Sequence, residues 1–264
     1  MARLVLDLTK SIDENASVYF EKAKKIKKKI EGAERALTAN LKKFQELQEK
    51  NEKLLLKHQK NEKFKERKHE WYEKFRWFIS SEGFLVIGGR DATSNEIVVK
   101  KHTEPNDIVF HTDLAGSPFF VVKSENKHIG EKTKNEAADA TCTFSRAWKL
   151  GLQTSSVFYV SPTQVSKKTK SGEYMGKGSF MIYGKTSYID NKINLAIGAT
   201  KAQQVMAGPL EAVQANCEKY VILEQGSEKA SAVAKKINYK FGGNFDLDEI
   251  IRALPSGGFM VKNL

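Results

Sequence analysis

The chain has 264 residues, 40% hydrophobic and 29% charged, which suits one large or two smaller folded domains and excludes a disordered chain. Lys and Arg number 44 against 32 Asp and Glu, a net charge of +12, so a polyanionic partner is expected, nucleic acid first, because clustered cations release counterions from phosphates. No run of about 18 apolar residues and no charged-then-apolar leader is present, which argues against a membrane partner and for a cytoplasmic location.

Residues 1–11 read as a short N-terminal extension or strand, from the apolar alternation of Arg3 to Leu8. Ser11 and Glu14 then have the spacing of a capping box, which predicts a helix from Ile12. Ala23, Ile26, Ile30, Ala33 and Leu37 recur at alternating three- and four-residue intervals, the narrow seam of a coiled coil. Leu41, Phe44 and Leu47 extend it with altered spacing. Between Lys50 and Asn61 the chain turns polar except at Leu54 to Leu56, and a reversal is expected there. From Glu62 to Trp77 the charged, helical character returns, with Phe64, Trp71, Phe75 and Phe78 at roughly helical intervals. Residues 12–79 are therefore expected to form an antiparallel helical hairpin. No Gly or Pro marks its tip, so one continuous bent helix is the alternative. Residues 1–80 hold 21 Lys and Arg against 13 Asp and Glu, which places most of the excess charge on this arm. Its densest run, Lys24, Lys25, Lys27, Lys28 and Lys29, is either a solvated helix face or a phosphate-contacting one.

Residues 80–264 change character. Phe84–Ile87, Glu96–Lys100, Ile108–His111 and Phe119–Lys123 are short apolar runs between turn residues, the pattern of an antiparallel meander. Ala137, Ala140, Phe144 and Trp148 predict one helix over Lys132–Leu150, stopped by Gly151. Strands are expected at Val157–Val160, Phe180–Tyr183, Leu195–Ile197 and Tyr220–Leu223, and helices at Ser227–Asn238 and Asp246–Ala253. A short strand follows Pro255 to Gly258. The fold class is thus α+β: a helical hairpin, then a mixed, mostly antiparallel β-sheet domain with packed helices.

Candidate chemistry collects between Trp77 and Gly116. Gly88-Gly89-Arg90-Asp91 can present backbone N–H groups and a guanidinium fork to an anion, or can be a plain β-turn with an Arg–Asp pair. His111 and Asp113 project from one strand face, and Asp91 could join them as a metal or general-base site; the alternative is a His–Asp hydrogen bond fixing a strand end. Gly176-Lys177-Gly178-Ser179 is not a phosphate loop, because Gly178 separates Lys from Ser. No nucleophile elbow, CxxC pair or HExxH spacing occurs, so no cofactor, metal or catalytic residue is expected, and Cys142 and Cys217 read as reduced, buried thiols. Trp148 belongs to the core stripe. Arg146, beside that stripe, can reach RNA, as can Lys185 at a strand end and Lys167 and Lys168, with Thr169 and Lys170, in a Gly-flanked loop that is otherwise simply solvated.

The segments Trp77–Ala92, Asn95-Glu96, Asp107–Asp113 with Gly116, Ser145–Trp148 and Phe180–Lys185 resemble the NFACT-R domain of the NFACT family, which includes the RqcH and NEMF ribosome quality control factors. Residues 6–16 and the Lys-rich helix are similar to the start of the family's coiled-coil middle region, and the chain is then a C-terminal fragment. The resemblance implies a non-enzymatic RNA-binding module that engages the large ribosomal subunit and tRNA or rRNA. It also implies support for C-terminal tailing of nascent chains, and a possible protein partner on the coiled-coil arm. Thr112 stands where the family usually has Ala, on the strand face opposite His111. The RNA-contact expectation falls on Arg90, His111, Arg146, Lys167, Lys168 and Lys185. Two readings of other classes remain: a metal-dependent RNA-processing or RNA-modifying enzyme using Asp91, His111 and Asp113, or a protein-interaction scaffold that does not touch RNA.

Overall fold

A computed structural model describes residues 5–65, 68–168 and 175–262, with the side chains of 49–65 outside the described set. The chain divides into two compact units, Met1–Glu66 and Arg67–Leu264.

The first unit is dominated by α1 (Ile12–Lys65), 54 residues long. The capping box forms as expected: the Ser11 amide donates to the Glu14 carboxylate at 2.8 Å, and the Glu14 amide donates to Ser11 Oγ at 3.2 Å. Asn15 fixes the approach to the helix, its amide nitrogen donating to the carbonyls of Asp7, Lys10 and Ser11 while its oxygen accepts from the Asp7 amide. Residues 5–7 form no strand, and Arg3 and Leu4 lie outside the described residues. The hairpin expectation is corrected, because α1 runs straight through the stretch where a reversal was placed. The physical reason is the absence of a breaker: between Gly32 and Gly83 there is neither Gly nor Pro, and most of the polar residues of 50–61 are Lys, Glu and Gln, good helix formers. The seam residues Ile26, Ile30, Leu37, Leu41, Phe44 and Leu47 are each more than half exposed. The side chains of Leu54 to Leu56 and Phe64 lie outside the described set.

In the second unit, Trp71–Lys74 is a single 3-10 turn and Arg76–Ile79 is strand β1, so Trp71, Phe75 and Phe78 join the sheet domain rather than a returning helix. Trp71 stacks on His102 at 4.5 Å. There follow β2 (Leu85–Gly88), α2 (Ala92–Lys101), β3 (Ile108–Thr112), β4 (Phe120–Val122), α3 (Glu131–Thr143), α4 (Arg146–Leu150) and β5 (Val157–Val160). The chain continues with β6 (Val165–Ser166), β7 (Met181–Ile182), β8 (Ser187–Ile189), β9 (Leu195–Thr200), β10 (Val205–Gly208), α5 (Leu210–Asn216) and β11 (Cys217–Glu228). It closes with α6 (Ala230–Lys240), α7 (Leu247–Ala253) and β12 (Phe259–Val261). One sheet has the order β1-β2-β4-β3-β5-β8, a second β10-β9-β11-β12, and β6 pairs with β7. The pairings are antiparallel, which bears out the α+β reading.

Two further expectations change. Glu96–Lys100 is helix, not strand, because Asp91 caps α2 by accepting from the Ser94 amide at 2.8 Å while Ser94 Oγ accepts from the Asp91 amide. The helix expected over 132–150 breaks at Ser145, whose hydroxyl donates to the Cys142 carbonyl and accepts from the Ala147 amide, ending α3 and starting α4. The strands β8 and β10 and helix α5 were not foreseen.

Phe78, Phe110 and Phe120 are fully buried in the core. Gly88 is required there: a Cβ at this position would sit 2.5 Å from the Phe120 ring. Asn216 links the sheets, its side-chain amide donating to the carbonyls of Ile79 and Ser80 at the end of β1. Register sets Arg76 opposite Gly88, which brings its guanidinium beside the turn that follows β2.

Candidate nucleic-acid interface

That turn, 89–91, is held by its own arginine. Arg90 Nη2 donates to the carbonyls of Glu73 at 3.0 Å and Phe75 at 2.8 Å, tying the end of β2 to the 3-10 turn before β1. Burial lowers its pKa, with Arg252 adding to the effect, and its Nε is buried without a hydrogen-bond partner. Arg76 is 9% exposed, donates to the Leu254 carbonyl, and lies with its guanidinium 4.6 Å from the Phe144 ring centroid. Burial, and then the neighbouring Arg90, push its pKa down to about 10, so it stays charged at neutral pH.

His111 stacks on Phe119 at 4.0 Å and 23°, and its Nε2 is 3.3 Å from the Ser117 carbonyl, which fixes the proton on Nε2. Burial drives its pKa down to about 4, against smaller opposing effects from the Ser117 hydrogen bond and Asp113, so the ring is neutral at pH 7. Asp113 Oδ2 accepts from the Tyr188 hydroxyl at 3.4 Å, while Asp91 is committed to its helix cap. The three residues of the expected metal alternative therefore serve different partners. Among the described residues, the His, Cys, Asp and Glu side chains with ligand atoms within 4.8 Å of one another are His69, Glu73 and Glu249. Thr112 points away from His111 into the interior, as expected from strand alternation.

Arg90, His111 and Arg146, far apart in sequence, line one cavity of about 380 Å³ at the end of the six-stranded sheet. Five cations lie in its walls, Arg76, Arg90, Arg146, Lys149 and Lys177, against one carboxylate, Asp91. Asp91 and Glu249 are the carboxylates whose charge acts on Arg90. Arg146, Lys149 and Lys177 are exposed at its mouth. Lys167, Lys168 and Lys185 do not line it. Lys167 Nζ donates to the Gly176 carbonyl at 3.0 Å and lies 5.1 Å from the Phe180 centroid, whereas Lys168 and Lys185 are exposed. Thr169 and Lys170, expected in the same basic loop, lie outside the described residues.

Residues 74–184 match the family described as NFACT protein RNA binding domain. Over 199 residues, 74% of this chain and 29% of the relative, the sequence is 40% identical to the archaeal Rqc2 homolog aRqcH of Methanocaldococcus jannaschii. Over 181 residues, 66% of this chain and 16% of the relative, it is 40% identical to the ribosome quality control complex subunit NEMF of Homo sapiens. The chain belongs to the NFACT family. It spans less than a third of the length of these curated relatives. A solved structure of the C-terminal part of the fibronectin/fibrinogen-binding protein from Streptococcus suis is 18% identical with a TM-score of 0.38, covering 49% of each chain.

The NFACT-R match contains every charged wall residue of the cavity. Sequence reasoning missed three of its cations. Arg76 and Lys149 fell within expected helices and were given no role, and Lys177 was weighed only as a failed phosphate loop. The one signal that pointed to Lys177 was its place between two glycines, and Gly178 does need its positive φ of +78°, with Ala92 packed directly against it.

Proposed function

We propose that this chain is the RNA- and ribosome-binding part of a ribosome-associated quality control factor, working in the cytoplasm by binding rather than by chemistry of its own. The observation that carries this reading is the cavity with five cations and a single carboxylate inside the segment that matches an RNA-binding domain. Arg146, Lys149 and Lys177 at its mouth, with Lys167, Lys168 and Lys185 nearby in sequence, contact phosphates. Arg90 and His111 shape the wall. Large ribosomal subunits and tRNA or rRNA are the partners, and support of C-terminal tailing is the process served.

Filter binding of tRNA to the full chain over a range of salt tests this. Affinity should fall steeply and linearly on logarithmic axes as salt rises, because each neutralised phosphate releases counterions. Salt-independent binding, or none, would sink the reading. The exposed apolar seam of α1 supports a helical protein partner in addition, since a solvated row of Ile and Leu at heptad spacing is stabilised by a second helix. Replacing Ile30 and Leu37 with Asp should abolish capture of that partner while leaving tRNA affinity within twofold.

A further inference from the structure

We propose that the cavity between α2, the 113–118 loop, the start of α4 and the 177–180 segment receives one unpaired nucleotide of an RNA, phosphate and base together. This deepens the RNA-binding reading and rests on it.

Size comes first. At about 380 Å³ the space falls within the range of roughly 300–1,000 Å³ typical of small-ligand sites, far more than a water or an ion needs. Charge comes second. Arg76 and Arg90 lie close enough to depress the Arg76 pKa, Asp91 and Glu249 offset only part of the charge at Arg90, whose pKa stays lowered, and Arg146, Lys149 and Lys177 line the mouth of the same cavity. A phosphate seated there relieves the like-charge repulsion between the two guanidinium groups. The lone carboxylate in the wall, Asp91, already accepts from the Ser94 amide. Arg90 lines both this cavity and a void of about 20 Å³ that has room for a single water, and its Nε is buried without a hydrogen-bond partner.

The lining also contains aromatic rings. Phe180 is half-buried and held edge-on by Phe119 at 5.4 Å, and Phe119 is backed in turn by the His111 ring. The Lys167 ammonium lies 5.1 Å from the Phe180 centroid, so a base meeting this ring does so beside a cation, while His111, neutral at pH 7, adds no further charge. Phosphate donors and a braced aromatic in one cavity match a nucleotide taken out of a stack, and not a duplex. Bases within an A-form helix stay stacked, whereas loops, bulges and ends splay theirs out onto aromatic side chains.

The test uses the full chain with a blunt RNA duplex, the same duplex bearing a one-nucleotide bulge of 2-aminopurine, and adenosine monophosphate as competitor. The bulged RNA should bind about tenfold tighter than the blunt one, the effect of one stacked base, with a change in 2-aminopurine fluorescence. Phe180→Ala should shrink that advantage to below twofold. Arg146→Glu, at an exposed position that folding does not depend on, should weaken the bulged complex at least tenfold and keep adenosine monophosphate from competing. Equal affinity for the two RNAs would overturn the pocket while leaving RNA binding intact. If no RNA binds, the broader reading fails. Adenosine monophosphate binding by calorimetry, lost in Arg146→Glu, would then reassign the cavity to a free nucleotide, and its absence would dispose of the site.

Discussion

Arg90 and His111 sit in the cavity wall, yet their strongest interactions point inward. Arg90 gives two charged hydrogen bonds to main-chain carbonyls, each worth about 1.5–3 kcal/mol. Arg90→Ala should therefore lower the free energy of unfolding by roughly 2–4 kcal/mol, read from urea denaturation, even with no RNA present. His111 makes a pH prediction. Its folded pKa, about 4, lies below the ordinary value near 6.5, so between those limits the unfolded chain binds the proton and the folded one does not. Its contribution is fully present above about pH 6.5 and is lost as pH falls toward 4. His111→Gln should flatten that part of the stability profile relative to wild type, the carboxylates common to both proteins cancelling in the difference. Both residues were legible in the sequence as unusual, Arg90 in a Gly-Gly turn and His111 two positions from an Asp. Their roles were not legible, since the carbonyls that hold Arg90 belong to a turn 15 and 17 residues upstream and no periodicity marks it. The same holds for Arg76 and Lys149, which line one cavity only because β1 pairs with β2 and Ser145 caps α4.

Among the elements, α2 shows where pattern and structure part. Ile97, Val98 and Val99 are β-branched and suggested a strand, but Asp91 with Ser94 supplies a cap that outweighs their propensity. Asp91→Ala should cost about 1 kcal/mol of stability. It should also move the first turn of α2, a change that amide exchange at Ser94 and Asn95 would register as lost protection. In α1 the apolar spacing and capping box were plain in the sequence, and the reversal expected between Lys50 and Asn61 does not occur, because polarity without Gly or Pro does not end a helix. Gly32 lies in the interior of α1 with open space around its Cβ position. Gly32→Ala should stabilise the helix by about 0.5–1 kcal/mol, visible as a higher midpoint of the 222 nm thermal signal.

At the level of the whole molecule, charge divides between the two units. Residues 1–66 carry 17 Lys and Arg against 11 Asp and Glu, a net of +6, and the remaining +6 belongs to residues 67–264. The arm thus holds half of the excess, a smaller share than a boundary near residue 80 implied, and the cavity draws on the rest. Replacing Arg146 and Lys149 together with Ala should reduce the slope of log affinity against log salt by about two for any tRNA, since two phosphate contacts are removed. No helix among the described residues is long and apolar enough to cross a membrane. The continuity of α1 has a metrical consequence. A 54-residue helix is a ruler of about 80 Å and also a protractor, because each residue removed shortens it by about 1.5 Å and swings its far end by about 100°. Excising seven residues would shorten the ruler by about 10 Å and leave the seam within roughly 20° of its bearing, whereas excising five would turn it by about 140°. Length and bearing can thus be varied independently, and whatever grips α1 can be asked which of the two it measures.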